Sequence, residues 1–259
     1  MNGRERLICT FRGGRADRMP ISPFIYFNNI YEMFRCKPTI DGYMRPTDFD
    51  VAEKFVAYHD VFGFDVLFTL GLLWDWYIPP SAENWDVTIT REGDQDKQRR
   101  VTTVQTPAGE LRQVMNFARS STYLIVQAVE KYLFETPRDF EIFAKYAPPA
   151  QFIDCDFIRR ARQAVGDKGL VNVATHGAFN TLNQFRKLEM MMTDPLADEG
   201  FYRAMMEFLL EWNMKHLLEV IAAGSESVEI GGNLATSGAG PSMVIVSRPG
   251  ANSCLLLRI

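Results

Sequence analysis

The chain of 259 residues is long enough for one large domain or two small ones. Hydrophobic residues make up 47% of it and charged residues 23%, which is typical of a globular protein and excludes disorder over most of its length. The formal net charge of −4 argues against a nucleic-acid partner, because such proteins usually carry a basic excess. The longest apolar run, 61–74, is shorter than the roughly 18 residues of a membrane span and contains Asp65, so no membrane contact is expected.

The cellular compartment is predicted from the N-terminus and the cysteines. Residues 1–6 lack the apolar core of a signal peptide. The four cysteines, Cys9, Cys36, Cys155 and Cys254, show no close C-x-x-C pairing. Reduced thiols and a cytoplasmic location are the simplest interpretation.

The first part of the chain predicts two helices and two strands. A short helix and a turn are expected over 4–18, followed by a strand over 21–26 that Pro20 opens. Apolar residues at steps of three and four predict a helix over 48–62, and Gly63 is typical of a helix end. The apolar run 64–70 follows directly, which favours a parallel strand buried on both faces.

The segment 85–117 has a different pattern. Short runs of alternating residues are separated by Gly93 and by a Pro-Ala-Gly turn at 107–109. This alternation predicts a small antiparallel meander that is inserted in the domain and stands off the main sheet.

Helices and apolar runs alternate after the meander. Two more buried strands are predicted over 170–175 and 227–230. The predicted helices begin near Thr136, cover 152–165 and 180–192, and end with a long helix that Asp194-Pro195 opens and Gly224 closes. Helix and buried strand in alternation predict an α/β fold with a parallel sheet, here with four core strands.

The site is expected at the carboxyl ends of these strands, where α/β proteins place their chemistry. His176 follows one buried strand and could act as a general base, a metal ligand or a hydrogen-bond donor, or be structural. Glu229 lies in an apolar strand, which favours a pocket-facing carboxylate over a buried ion pair with an arginine. Asn180, Asn233 and Trp74 are weaker candidates for binding a small-molecule substrate, with turn formation or core packing as alternatives.

Other notable residues have structural interpretations. His59 and His216 lie within predicted helices, and the run Met190-Met191-Met192 is typical of core filler. No spacing of histidines and cysteines predicts a metal site, and no catalytic triad can be argued. The sequence also lacks a dinucleotide-binding G-x-G-x-x-G after any predicted strand and a P-loop.

Several short motifs resemble the uroporphyrinogen decarboxylase superfamily, which includes the cobalamin-dependent methyltransferases such as methylcobamide:coenzyme M methyltransferase. In chain order these motifs are Met1–Arg6, Arg15–Pro20, Gly63–Leu67, Thr106–Leu111, Thr193–Pro195, Ala223–Ser225 and Val228–Glu229. The resemblance implies a (β/α)₈ barrel over 1–243, of which the chain would hold about the first four strands, with 85–117 as an insertion. Residues 244–259 do not resemble the family, and we expect an aberrant tail there, from a frameshift or premature end near residue 243.

The branch of the superfamily is predicted from the decarboxylase residues that this sequence does not contain. The resemblance implies that a decarboxylase would need an arginine-rich motif after the first strand, where 26–29 reads Tyr-Phe-Asn-Asn, and an aspartate near Gly71 and Leu72. A corrinoid-dependent methyltransferase, transferring a methyl group to a thiol or related acceptor, therefore resembles the chain better. That branch implies a corrinoid partner protein and a zinc ion, whose ligands this chain lacks. A decarboxylase of porphyrin biosynthesis and an inactive fragment remain the alternatives.

Overall fold

The computed structural model describes residues 1–41, 51–70, 78–151, 154–231, 243–247 and 254–258. Its helices are α1 (Gly3–Phe11), α2 (Phe27–Met33), α3 (Val51–Phe62), α4 (Pro137–Tyr146), α5 (Cys155–Val165), α6 (Ala178–Phe185), α7 (Leu188–Ala197) and α8 (Glu199–Ala222). Its strands are β1 (Val66–Leu70), β2 (Asp86–Gly93), β3 (Lys97–Thr106), β4 (Gly109–Ser121), β5 (Leu124–Lys131), β6 (Gly169–His176), β7 (Ser227–Gly231), β8 (Met243–Ser247) and β9 (Cys254–Arg258).

One sheet has the strand order β1-β6-β7-β8-β9. The pairs β1–β6 and β6–β7 are parallel and adjacent in chain order, as the sequence predicts. The next pairs, β7–β8 and β8–β9, are antiparallel, so the predicted tail 244–259 contributes strands to this sheet. The protein is therefore of mixed α/β type, with three parallel core strands among the described residues rather than four.

The predicted first strand, 21–26, is wrong. The segment is extended and touches the start of β1, where Asp65 N–H donates to the Ile21 carbonyl at 2.8 Å and Leu67 N–H donates to Ser22 Oγ at 3.0 Å. It does not form a ladder, because Pro20 and Pro23 have no N–H to donate. Its side chains are also unsuited to a buried strand, since Phe24 is 69% exposed.

Helices cover one face of the parallel strands, called here the outer face. Val66, Phe68, Val171 and Val173 alternate along β1 and β6 and are buried in the main core. The Phe68 ring lies 4.9 Å from that of Phe55 on α3, which fixes this helix against the sheet. The outer face is thus closed by packing, and the chemistry has to be sought on the other face.

The antiparallel sheet has the order β2-β3-β4-β5 and extends from residue 86 to residue 131. It has one strand more than the meander predicted over 85–117. Val104 and Leu111 belong to the main core, so the sheet does not stand fully apart. Its far end has a small core of its own, formed by Ile40, Met115, Phe117 and Ile125.

Two helix boundaries differ from the prediction. The predicted helix 180–192 is two helices, α6 and α7, with a break at Arg186 and Lys187. The long helix does not begin at Asp194-Pro195, since both residues lie inside α7. Asp194 is engaged instead in a buried two-point ion pair with Arg186, with Nη2 to Oδ1 at 2.7 Å. Asp198 is the residue that caps α8, by accepting the Phe201 N–H at 2.9 Å.

An ion-paired group, called here the basal cluster, lies at the amino-terminal edge of the parallel strands. It consists of Arg6, Asp17, Arg18 and Asp65. Buried Asp65 binds the guanidinium of Arg6 and that of Arg18, whose Nη1 lies 3.0 Å from Oδ2, and accepts the Ile21 N–H at 3.1 Å. The hydrogen bond from Arg6 lowers the pKa of the Asp17 carboxyl well below its ordinary value. The basal cluster therefore ties α1 and residues 17–21 to the start of β1.

A second ionic contact stands at the same edge. Glu226, just before β7, pairs with Arg4 on α1 and with Arg162 on α5, whose Nε lies 3.1 Å from Oε2. Gly3 at the start of α1 approaches the Lys168 carbonyl so closely that a β-carbon there would collide with it. Helix α1 is thus fixed across the amino-terminal edge, which leaves the carboxyl edge for a ligand.

Candidate active site

The strand register places the two strongest sequence candidates on one face. Ala174 pairs with Glu229, and His176 pairs with Gly231 two positions further along. Register partners in a sheet share a face, and side chains alternate between faces along each strand. His176 and Glu229 therefore share the face opposite the outer one, which we call the inner face, with neighbouring strands about 4.8 Å apart.

The inner face also carries polar residues that sequence reasoning missed. Asn172 Nδ2 donates to Thr69 Oγ1 at 3.2 Å, and Ser227 Oγ donates to Asn172 Oδ1 at 2.8 Å. Asn172 and Ser227 are buried, and their bonds link β1, β6 and β7. Their signal in the sequence was an asparagine and a serine in otherwise apolar runs. This polar ladder forms the lower part of the face, below His176 and Glu229.

His176 lies at the last position of β6 and is half-buried. Burial lowers the pKa of its imidazole below the ordinary value of 6.5, so the ring is neutral at pH 7. Its carbonyl accepts a hydrogen bond from Asn213 Nδ2 on α8 at 3.3 Å, which holds the end of the strand. A neutral imidazole can donate one hydrogen bond to a ligand and accept another.

Glu229 is half-buried in β7 and has no hydrogen bond or ion pair with the residues that the structure describes. The alternative of a buried ion pair with an arginine is therefore not realised in that part of the chain. An ionised carboxylate that is partly removed from water without a partner is unfavourable. A ligand with a complementary group would relieve that cost.

The other predicted site residues fall elsewhere. Asn180 lies in the first turn of α6 rather than on the inner face; it is 6% exposed, and its Oδ1 has no hydrogen-bond partner among the described residues. Trp74 and Asn233 lie outside the described residues. Whether any of the predicted residues binds a ligand stays a prediction.

The two other histidines are buried and lie within helices, His59 in α3 and His216 in α8. His59 is fully buried, and its Nδ1 is 2.9 Å from the Phe55 carbonyl oxygen. His216 is 2% exposed and pairs with Glu219 at 3.1 Å. Of the three consecutive methionines, Met191 is buried, whereas Met192 is 62% exposed.

The resemblance implies a zinc site, which needs three or four His, Cys or acidic side chains that converge on one point. Within the described ranges no group of three His, Cys, Asp or Glu side chains could hold a metal ion. Cys9, Cys36 and Cys155 are free thiols on separate segments. These residues do not fit zinc. In the same part of the chain, no helix has the length and apolar character needed to cross a bilayer.

Comparison with known proteins gives one informative result. No protein-family model and no curated protein matches the sequence. Among solved structures, a methyltransferase from Methanosarcina mazei is similar over 89% of this chain, with a TM-score of 0.51 and 11% sequence identity. The chain spans 58% of the length of that protein's chain. The likeness shows a shared, methyltransferase-like fold.

Proposed function

We propose that this chain is part of a corrinoid-dependent methyltransferase of the (β/α)₈ barrel type, and that its inner face binds the methyl acceptor. The observation that supports this most is the convergence of His176 and Glu229 at the carboxyl ends of adjacent parallel strands. That edge is where barrel enzymes place their active sites. The likeness to a methyltransferase fold supports methyl transfer as the reaction class.

The proposed acceptor is a small thiol or a related nucleophile. In the proposed reaction the thiol would release its proton to water, its sulfur would take the methyl group, and the corrinoid that carried the methyl group would keep the bonding electron pair. The neutral imidazole of His176 would orient the acceptor by a hydrogen bond, and Glu229 would hold another polar group of the same molecule. Both act as positioning residues, and the polar ladder beneath them fixes the floor of the site.

The test is a methyl-transfer assay on the whole open reading frame that contains this chain. Loss of methylcobalamin absorbance is followed in the presence of a series of small thiols. We expect turnover, and we expect His176→Ala to lower it about tenfold to a hundredfold, as for a lost positioning contact.

The matched control is His216→Asn, which changes a buried histidine away from the inner face. It should lower the melting temperature but leave the activity per folded molecule unchanged. Wild-type rates in the His176→Ala protein, or no turnover with any thiol, would contradict the proposed function.

A further inference from the structure

The two edges of the parallel sheet differ in charge. At the amino-terminal edge, Arg4, Arg6, Arg18 and Arg162 are each paired with a carboxylate. The side chains described on the inner face include one carboxylate, Glu229, and no lysine or arginine. In the sequence, residues 177–185, which follow β6, contain no charged residue. Among the described side chains of the inner face and of residues 177–185, the ionisable groups are therefore His176 and Glu229.

A ligand at this edge thus meets a negative charge that no described side chain neutralises. Recognition of an anion, such as a sulfonate or carboxylate, normally uses arginine or lysine. Anion recognition by these strands would bring the ligand's charge close to Glu229, and like charges repel. An ammonium group would instead give the carboxylate a charge-assisted hydrogen bond, which no described side chain gives it.

The start of helix α6, at the same edge, favours anions. Helix α6 begins at Ala178, and its cap residue Gly177 has no side chain to bind the free N–H groups. The positive end of a helix is equivalent to about half an elementary charge, and its effect fades within one turn. A carboxylate such as that of Glu229 carries a full charge, about twice the equivalent charge of a helix end.

We infer that the inner face selects a substrate carrying an ammonium group, which binds Glu229, over one carrying an anionic group. This inference rests on the proposed function and narrows its substrate class to aminothiols and related organic cations. His176 then holds the reacting end of the molecule, and Glu229 holds the charged end. The polar ladder of Thr69, Asn172 and Ser227 carries no charge and leaves the selectivity to Glu229.

Three thiols of equal carbon length test the charge preference. They are cysteamine, with an ammonium group, 2-mercaptoethanol, which is neutral, and 2-mercaptoethanesulfonate, which is anionic. Binding to the 259-residue chain is measured by calorimetry and by changes in NMR chemical shifts. We expect cysteamine to bind at least about tenfold more tightly than the sulfonate, as for a charge-assisted contact.

Two variants assign the preference to one carboxylate. Glu229→Gln keeps the shape of the side chain and should remove the advantage of cysteamine over 2-mercaptoethanol. Glu211→Gln removes the same charge from the exposed surface of α8 and should change neither the affinity for cysteamine nor that for 2-mercaptoethanol. Circular dichroism verifies that both variants are folded. A second test is His176→Asn, which keeps Glu229 and should weaken the binding of all three thiols by the same factor.

Tighter binding of the sulfonate would overturn the inference, as would equal affinities, a cysteamine preference that survives in Glu229→Gln, or no binding of cysteamine. These outcomes are separate from those of the turnover assay. Methyl transfer to the sulfonate alone would leave the proposed function intact and refute the charge preference, whereas selective cysteamine binding without turnover would do the reverse.

Discussion

The basal cluster should contribute strongly to stability, and Asp65→Asn tests this. Asp65 is 3% exposed and binds Arg6, Arg18 and the Ile21 N–H. The substitution removes the carboxylate charge and leaves the Arg6 guanidinium, itself 7% exposed, with Asp17 as its remaining charged partner. Breaking a buried pair by removing one partner costs about 3–5 kcal/mol. Because Asp17 still lies 2.7 Å from Arg6 Nε, we expect a loss near the lower end, about 3 kcal/mol.

Urea unfolding followed by tryptophan fluorescence measures this loss, since Trp85 is fully buried and reports on the core. Asp156→Asn is the matched control because Asp156 pairs with Arg159 on the surface, where both side chains are more than half exposed. Its effect should stay below about 0.5 kcal/mol. If Asp65→Asn cost no more than this control, the basal cluster would not hold α1 in place and the reasoning would be refuted.

Two further predictions concern stability. Burial lowers the pKa of His59 below 6.5, so the unfolded chain binds the proton more readily, and stability should fall as the pH drops through 6.5. His59→Gln should reduce this dependence of the free energy of unfolding on pH. Urea unfolding of both proteins from about pH 8 to about pH 5.5 measures it, and an equal dependence in the two proteins would contradict the prediction. Asp194→Asn should cost about 3 kcal/mol by leaving Arg186 buried and unpaired, whereas Asp198→Ala, which removes the cap of α8, should cost about 1 kcal/mol. Equal losses in urea unfolding would show that the two aspartates do not have these different roles.

The parallel strands could be predicted because their signal is local. Residues 64–70, 170–175 and 227–230 are apolar runs that follow helices, and burial on the outer face demands apolar side chains there. The run 21–26 has a similar composition, but Pro23 within it and Pro20 just before it lack the N–H donors that a ladder needs, and this outweighed the apolar pattern.

Features that depend on distant partners could not be predicted. Asp194-Pro195 has the local pattern of a helix start, yet the carboxylate is used by Arg186. Asn172 and Ser227 are buried because each satisfies the other across two strands, and no single segment shows that bond. The sequence predicted that His176 and Glu229 lie at strand ends. That the two side chains share a face follows from the register between β6 and β7.

The positions of the family-like motifs have a consequence for how this protein can change. Arg6, Asp17, Arg18 and Asp65 come from the motifs that carry the resemblance, and they stand at the edge opposite His176. The eight residues of β6 separate the two edges by roughly 25 Å. Substitutions that far apart have nearly additive energetic effects. An engineer could therefore redesign ligand preference at the carboxyl edge while the opposite edge preserves the architecture.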